Sequence, residues 1–325
     1  SSDPTLGRIW DVGWRTARVC ANETYFDTPY WEQLQYVGDT RIQALISLYV
    51  DGDDRLMRKA IRAYDHSRVA EGLTASRYPS HEEQFIGPYS LLWITMVHDY
   101  WMHREDPAFV RSFLTPIRGI VEWYAQHIDE TGLVGPVPWW NFVDWSYETG
   151  IPPGADDGHS TVISLQLAYV LDYAAELAAA FDRASDARYY RTLSASLKEA
   201  VRARAWDAER GLLADTPAQE AFSQHANILG VLTGLCEERN LAARGATQAV
   251  TYHDVMERVL ADPSLVPATY YFSFYLHRAM KQAGLGDRYI EQLEPWREML
   301  ARGLTTFAEE PDPTGWLWDF LPPDR

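Results

Sequence analysis

Apolar residues return every three to four positions along most of this chain, and that spacing constrains it to a helical fold. Over residues 4–21 it puts Leu6, Ile9, Trp10, Gly13, Ala17 and Cys20 on one face, behind a helix start set by Asp3 and Pro4. Residues 39–50 align Ile42, Leu45, Ile46 and Tyr49; the next helix, capped by Asp53 or Asp54, aligns Leu56, Ile61 and Tyr64. A nearly all-apolar helix spans 88–104, with Leu92, Met96, Tyr100 and Trp101, and another covers 107–128. The second half predicts helices at 159–183, 185–206, 217–235, 240–261, 267–283 and 286–302. These make about eleven helices in antiparallel pairs of about fifty residues, which reads as an all-α toroid of helical hairpins, one helix short of six pairs. Pro136 and Pro138 forbid a helix over 133–145, where a short extended piece is expected. No Pro/Ser-rich linker divides the chain, so residues 1–325 read as one domain. Long loops follow residues 21, 72, 130 and 303, and long loops gathered at one end of a barrel usually build the site.

Composition narrows the ligands. The net charge of −17 repels phosphate backbones and anionic lipids, so neither nucleic acid nor a membrane surface is an expected partner. No run of about 18 uncharged apolar residues predicts a membrane span. Thirteen Trp and nineteen Tyr favour neutral ligands with flat C–H faces, sugars above all, although most of these rings are expected in the core. Cys20 and Cys236 are too few for a disulfide framework and read as buried free thiols. The start, Ser1-Ser2-Asp3-Pro4, has neither an initiator Met nor a signal-peptide pattern. It reads as a piece of a longer chain or a processed start, which leaves cytoplasmic, periplasmic and secreted locations open.

Four segments carry candidate chemistry. The loop from Asp27 to Asp39 holds Glu32 between two Asp residues and among Tyr30, Trp31 and Tyr36. Like charge and desolvation there are expected to raise the pKa of Glu32, as a general acid requires. The blander reading makes Asp27 and Asp39 helix caps. The segment Gly303–Glu310 brings Glu309 and Glu310 onto a loop at the other end of the chain. Hydrolysis of a glycosidic bond needs two opposed carboxyl groups, so an acid at each end of an aromatic-rich helical barrel suggests sugar cleavage. In Pro138–Trp145, three Trp, an Asn and an Asp crowd one loop; Trp140, Asp144 and Trp145 are expected to meet a ligand. Arg77 could pair a site carboxylate or hold its loop, and His225 is expected to face the barrel centre. No His or Cys has metal-ligand spacing, Asp156-Asp157-Gly158-His159 reads as a loop and helix cap, and no phosphate loop or nucleophile elbow occurs, so no cofactor or metal is implied.

On these residues the chain resembles the catalytic domain of the α-L-rhamnosidases of glycoside hydrolase family 78. Asp27, Pro29, Glu32, Gly38 and Asp39 match the family's acid loop; Gly303, Thr305, Thr306 and Glu309 match its second signature. The likeness continues through Glu71–Thr74, Phe142–Trp145 and Tyr271–Leu276. It implies an (α/α)6 barrel and single-displacement hydrolysis with inversion. Glu32 would be the general acid and Glu309 the general base, with roughly 6.5–9.5 Å between them. Asp27 and Asp39 would grip rhamnose hydroxyls and keep Glu32 protonated. Trp31, Tyr36, Arg77, Trp140, Asp144, Trp145 and His225 complete the expected sugar-binding set. No metal is needed. Thr28, Trp31 and Tyr36 depart from the family's Cys, Arg and Trp, which alters the pocket wall.

Beyond Glu310 the likeness weakens. Pro311-Asp312-Pro313-Thr314 and Gly315–Phe320 stand where the family's closing helix begins. The expectation is a barrel without its twelfth helix or flanking β-sandwich domains, open at the seam between first and last helices. Two alternatives stay open: a six-hairpin glycosidase for glucosides or uronides, and a truncated, weakly active or non-catalytic glycan-binding remnant. Aglycone, linkage and oligomeric state are not legible.

Overall fold

A computed structural model describes residues 3–236 and 250–309. Its helices alternate between an outer and an inner layer. Outer α1 (Pro4–Val19) precedes inner α2 (Val37–Val50), and outer α3 (Arg55–His66) precedes inner α4 (Gly87–His103). Outer α5 (Pro107–Arg111) and α6 (Leu114–Ala125) precede inner α7 (Thr161–Ala180). Outer α8 (Ala184–Ala205) leads to inner α9 (Gln224–Leu232), and outer α10 (Tyr252–Ala261) to inner α11 (Ser273–Gln282). A 3-10 segment, Gly286–Leu293, then leads into α12 (Glu294–Ala301). Inner helices pack in order around the ring, α2 on α4, α4 on α7, α7 on α9 and α9 on α11.

The inner helices show why the ring holds. α4 is buried continuously from Gly87 to Tyr100 and α7 from Thr161 to Leu171, and a helix apolar on every side must be enclosed. α7 is long and apolar enough to cross a membrane, but 78% of that window is buried inside the protein, which accounts for its apolarity. A large charge near the axis is paired. Arg41 of α2 is fully buried and donates Nε to Asp99 of α4 at 2.8 Å and Nη1 to Tyr275 of α11 at 3.2 Å. The rings of Tyr169, Tyr173, Phe274 and Tyr275 surround its guanidinium at 5.5–5.9 Å. One residue thereby joins α2 to α4, α7 and α11.

Several boundaries differ from the sequence reading. The expected 107–128 helix breaks at Ser112–Phe113, because Pro116 has no N–H for a bond to residue 112 and is accommodated only in a first turn. Helix α9 starts at Gln224 rather than 217. Ser223 caps it, after a two-residue hairpin of β1 (Trp206–Asp207) and β2 (Leu212–Leu213) that periodicity did not reveal. Helix α11 starts at Ser273 rather than 267, since the preceding turn is held by the loop that carries Asp144. The first part of the expected 240–261 helix lies outside the described residues; α10 begins at a Thr251/Asp254 capping box.

Two inward faces also move. In α2 the buried set is Val37, Gly38, Thr40, Arg41, Ala44, Leu45 and Leu48, whereas Ile46 and Tyr49 face outward, Tyr49 at 73% exposure against the edge of His103. In α1 no residue is buried and Trp10 is 59% exposed. The seam beside α1 is nonetheless joined where it is described. Asp3 pairs with Arg297 of α12 at 3.0 Å, and the Phe307 amide donates to Thr16 Oγ1 at 3.0 Å. The expected absence of a closing helix concerns residues outside those described.

Candidate active site

The acid loop is closed on itself before anything else touches it. Asp27 and Leu34 exchange bonds: the Asp27 amide donates to the Leu34 carbonyl at 2.9 Å, and the Leu34 amide donates to Asp27 Oδ1 at 2.9 Å. Within that closure Thr28 Oγ1 accepts from the Glu32 amide at 3.1 Å, so the residue that departs from the family's Cys fixes the backbone of the acid. The loop then clips to its neighbour. The Val37 amide donates to the Ser76 carbonyl at 3.0 Å and the Tyr78 amide to the Gln35 carbonyl at 3.1 Å, bridging Tyr36 to Arg77. A further bridge joins Ile86 to Trp140, with the Trp140 amide donating to Phe85 at 3.2 Å. Three of the four long loops therefore line up side by side at one end of the barrel.

Glu32 is exposed in this rim, and Tyr36 donates its hydroxyl to Glu32 Oε2 at 3.2 Å while accepting from Arg77 Nη1 at 2.9 Å. The crowding expected of three acids registers on its neighbours. Burial, then the charge of Glu32, pushes the Asp27 carboxyl from 3.8 up to about 8, against the opposing pull of the Leu34 and Thr28 amides. Burial foremost, with Glu32 adding to it, lifts Asp39 to about 6. Asp27 and Glu32 are also hydrogen-bonded to each other, which requires a proton on one of them. Raised to about 8, Asp27 keeps a proton at neutrality. Neither Asp serves as the N-terminal cap of α2; its cap position is Tyr36.

Gly38 lies where no side chain fits. A Cβ there would come within 3.0 Å of the Tyr89 ring and closer still to the Tyr271 hydroxyl. Both tyrosines thus pack on the first turn of α2, directly behind Asp39. Tyr89 also feels the acids of both signature segments. Its phenol is pushed well above the ordinary value by burial first, then by the charges of Asp39, Glu309 and Tyr36. Glu309 reaches this region on a pinned segment. Gly303, at φ 83°, ends α12 in a Schellman motif, with its own amide on Leu300 at 3.0 Å and the Leu304 amide on Met299 at 3.1 Å. The amides of Phe307 and Ala308 then anchor to Thr16 and to Met299 Sδ, leaving Glu309 exposed next in line.

The 138–150 loop supplies an aromatic platform. Trp140, Phe142 and Trp145 touch pairwise at ring separations of 4.8–5.7 Å, and Trp140 Nε1 is tied to the Thr149 carbonyl at 3.1 Å. Trp145 keeps 47% of its surface exposed and Trp31, on the acid loop, 43%. Asp144 and His225 were expected to contact sugar, and in this structure they do not reach the surface. Both are sealed behind the platform, His225 Nε2 lying 2.6 Å from Asp144 Oδ2. Asp144 further accepts from the Thr269 amide at 2.9 Å and from the Thr269 hydroxyl. A carboxylate buried this deeply needs several donors, and it finds them in α9 and in the turn before α11.

A sequence profile of the bacterial α-L-rhamnosidase six-hairpin glycosidase domain matches residues 1–313. The chain belongs to that family. Among solved structures, this rhamnosidase-family domain superposes on the family 78 rhamnosidase of Bacillus sp. GL1 with a TM-score of 0.81 at 25% identity, over 95% of this chain and 32% of that one. It superposes on a Klebsiella oxytoca rhamnosidase with rhamnose bound at 0.82 and 25%, over 97% and 59%. It therefore spans about a third of the first relative and under two-thirds of the second. The family 63 mannosylglycerate hydrolase of Thermus thermophilus, at 12% identity and a TM-score of 0.60, shares the toroid. No curated protein sequence matches the chain.

Sequence reasoning passed over Tyr89, Tyr271 and Thr269. Gly38 beside Asp39 was a usable signal for the first two, since a glycine in a helix's first turn often marks a close approach by something bulky. Nothing near Thr269 foretold its bond to Asp144. The elevated Asp27 and Asp39 carry a stability consequence. The folded protein binds protons more tightly than the unfolded chain between pH 3.8 and about 8, so stability falls as pH rises through that window. Asp27→Asn should melt above wild type at pH 8 and converge with it near pH 4. A melting difference that does not change with pH would contradict the raised Asp27.

Proposed function

We propose that this domain hydrolyses terminal α-L-rhamnosides with inversion at the anomeric carbon. In this reading Glu32 protonates the glycosidic oxygen as the C–O bond breaks. Glu309 takes a proton from a water that bonds to the anomeric carbon on the opposite face. The products are β-rhamnose and the free alcohol, and both carboxyls return to their starting states by exchange with solvent. Inversion calls for a Glu32–Glu309 separation wide enough to admit that water. Asp27 and Asp39 would hold ring hydroxyls, Trp31, Tyr36, Trp140 and Trp145 would line the sugar, and Asp144 with His225 would brace the platform from behind.

The observation that carries this reading is the placement of Glu32 beside the raised Asp27 in the acid loop, with Asp39 of the same signature and Glu309 of the other both acting on Tyr89. The rhamnose bound to the Klebsiella oxytoca relative supports the choice of sugar. A uronide would want a cation in the pocket, and Arg77 of the signature loops is already engaged with Tyr36. The test is a panel of p-nitrophenyl glycosides followed by NMR of the first product formed. Rhamnoside turnover with β-rhamnose appearing first is expected. Faster turnover of a glucoside, or α-rhamnose first, would overturn the assignment.

A further inference from the structure

Three groups on the acid's flank form a chain whose direction is set by chemistry. Arg77 Nη1 is 2.9 Å from the Tyr36 hydroxyl, which is 3.2 Å from Glu32 Oε2. A guanidinium can only donate. Tyr36 must therefore accept from Arg77, and its single hydrogen is left for Glu32. With Oε2 occupied as an acceptor, a proton on the Glu32 carboxyl belongs on Oε1. The Arg77 guanidinium also lies 5.8 Å over the Tyr36 ring, so it polarises the hydroxyl it binds. Joining the two loops does not need this side chain. The Val37–Ser76 and Tyr78–Gln35 backbone bonds, and the Gln35 side-chain amide on the Tyr78 carbonyl at 2.8 Å, already do so.

We propose that Arg77 is a positioning residue for the proton donor: acting through the Tyr36 hydroxyl, it orients the Glu32 carboxyl and stabilises the charge left there when the proton departs. The inference rests on reading Glu32 as the acid. Around that carboxyl, Asp27 on its own loop and Asp39 on α2 supply like charge, while Tyr36, backed by Arg77, donates to it. Among the described residues, Cys20 after α1, Tyr64 on α3, Tyr89 on α4, Tyr271 before α11 and Glu309 beyond α12 are the further titratable groups tied to this cluster. A hydrogen bond to the charged form favours that form, so its removal makes the cluster keep its proton to higher pH.

The experiment compares Tyr36→Phe, Arg77→Met, Arg77→Lys and the Phe/Met double variant on an alkyl and a p-nitrophenyl α-L-rhamnoside. An alkyl leaving group needs the acid and nitrophenol hardly does. Tyr36→Phe and Arg77→Met should each slow the alkyl substrate by about 10-fold and the aryl one by about 2-fold or less, the effect of one charge-assisted hydrogen bond. The alkaline limb of kcat/KM should move up by about half to one pH unit. Arg77→Lys, which keeps a donor, should recover part of the loss, and the double variant should be no slower than Tyr36→Phe. Equal losses on both substrates with an unmoved limb, or additive losses in the double variant, would reduce Arg77 to a loop tether. If Tyr36→Phe does not fold, the Met/Lys contrast at Arg77 decides alone. A Glu32→Gln control with the wild-type alkyl-to-aryl rate ratio would instead sink the assignment of the acid itself.

Discussion

Glu32→Gln should lower kcat/KM on an alkyl α-L-rhamnoside by about 10²–10⁴-fold, the range for losing a general acid or base. The loss should be much smaller on the p-nitrophenyl substrate, whose leaving group departs without a proton. Glu309→Gln should be about as damaging but indifferent to the leaving group, because activation of water is common to both substrates. Two different profiles from two glutamates would separate proton donor from water activator without assuming either. Initial rates on both substrates, with circular dichroism to establish folding, make the measurement. Wild-type rates in either variant, or identical leaving-group dependence in both, would remove the corresponding role. Glu32→Gln should also shift Asp27, since the charge of Glu32 is among the causes of its elevation.

The second large effect is on stability. Asp144→Ala should cost about 1–3 kcal/mol for each buried partner it leaves unpaired. The Thr269 amide, the Thr269 hydroxyl and His225 Nε2 all lose an acceptor at once, in a place water does not reach. Asp144→Asn keeps one acceptor for Thr269 and should lose less. Urea unfolding midpoints read the difference directly. The alternative has its own signature. Were Asp144 a sugar ligand, as its place among three tryptophans suggests, the variant would keep wild-type stability and raise KM for rhamnosides. That outcome would return Asp144 to the pocket and overturn its role as a brace.

Helix positions were legible wherever local chemistry dictated them. The cap at Asp3 and the end of the last described helix before Gly303 follow from a side-chain acceptor and a left-handed backbone, whereas the cap read in Asp156–His159 falls on Ser160. Misreadings fell where a distant segment overruled the local preference. Periodicity could carry the helix back to 267, but Thr269 is bonded to Asp144, 125 residues away. It could turn Ile46 and Tyr49 inward, but α2 presents Arg41 to the axis because Asp99, Tyr275 and a ring of aromatics wait there.

The amino-acid sequence alone determined the all-α hairpin toroid and the two carboxylate signatures. These depend on spacing, on backbone conformations that glycine or proline impose, and on residue chemistry, all of which are local. Tertiary structure decided that Tyr36 is hydrogen-bonded to both Arg77 and Glu32, that Asp144 and His225 are walled in together, and that Asp39 and Glu309 both act on Tyr89. A sequence pattern states which face of a helix is apolar and which residue can give or take a proton. What covers that face, and which partner stands within hydrogen-bond reach, is set by packing between segments far apart in the chain, such as Thr16 and Phe307, 291 residues from one another.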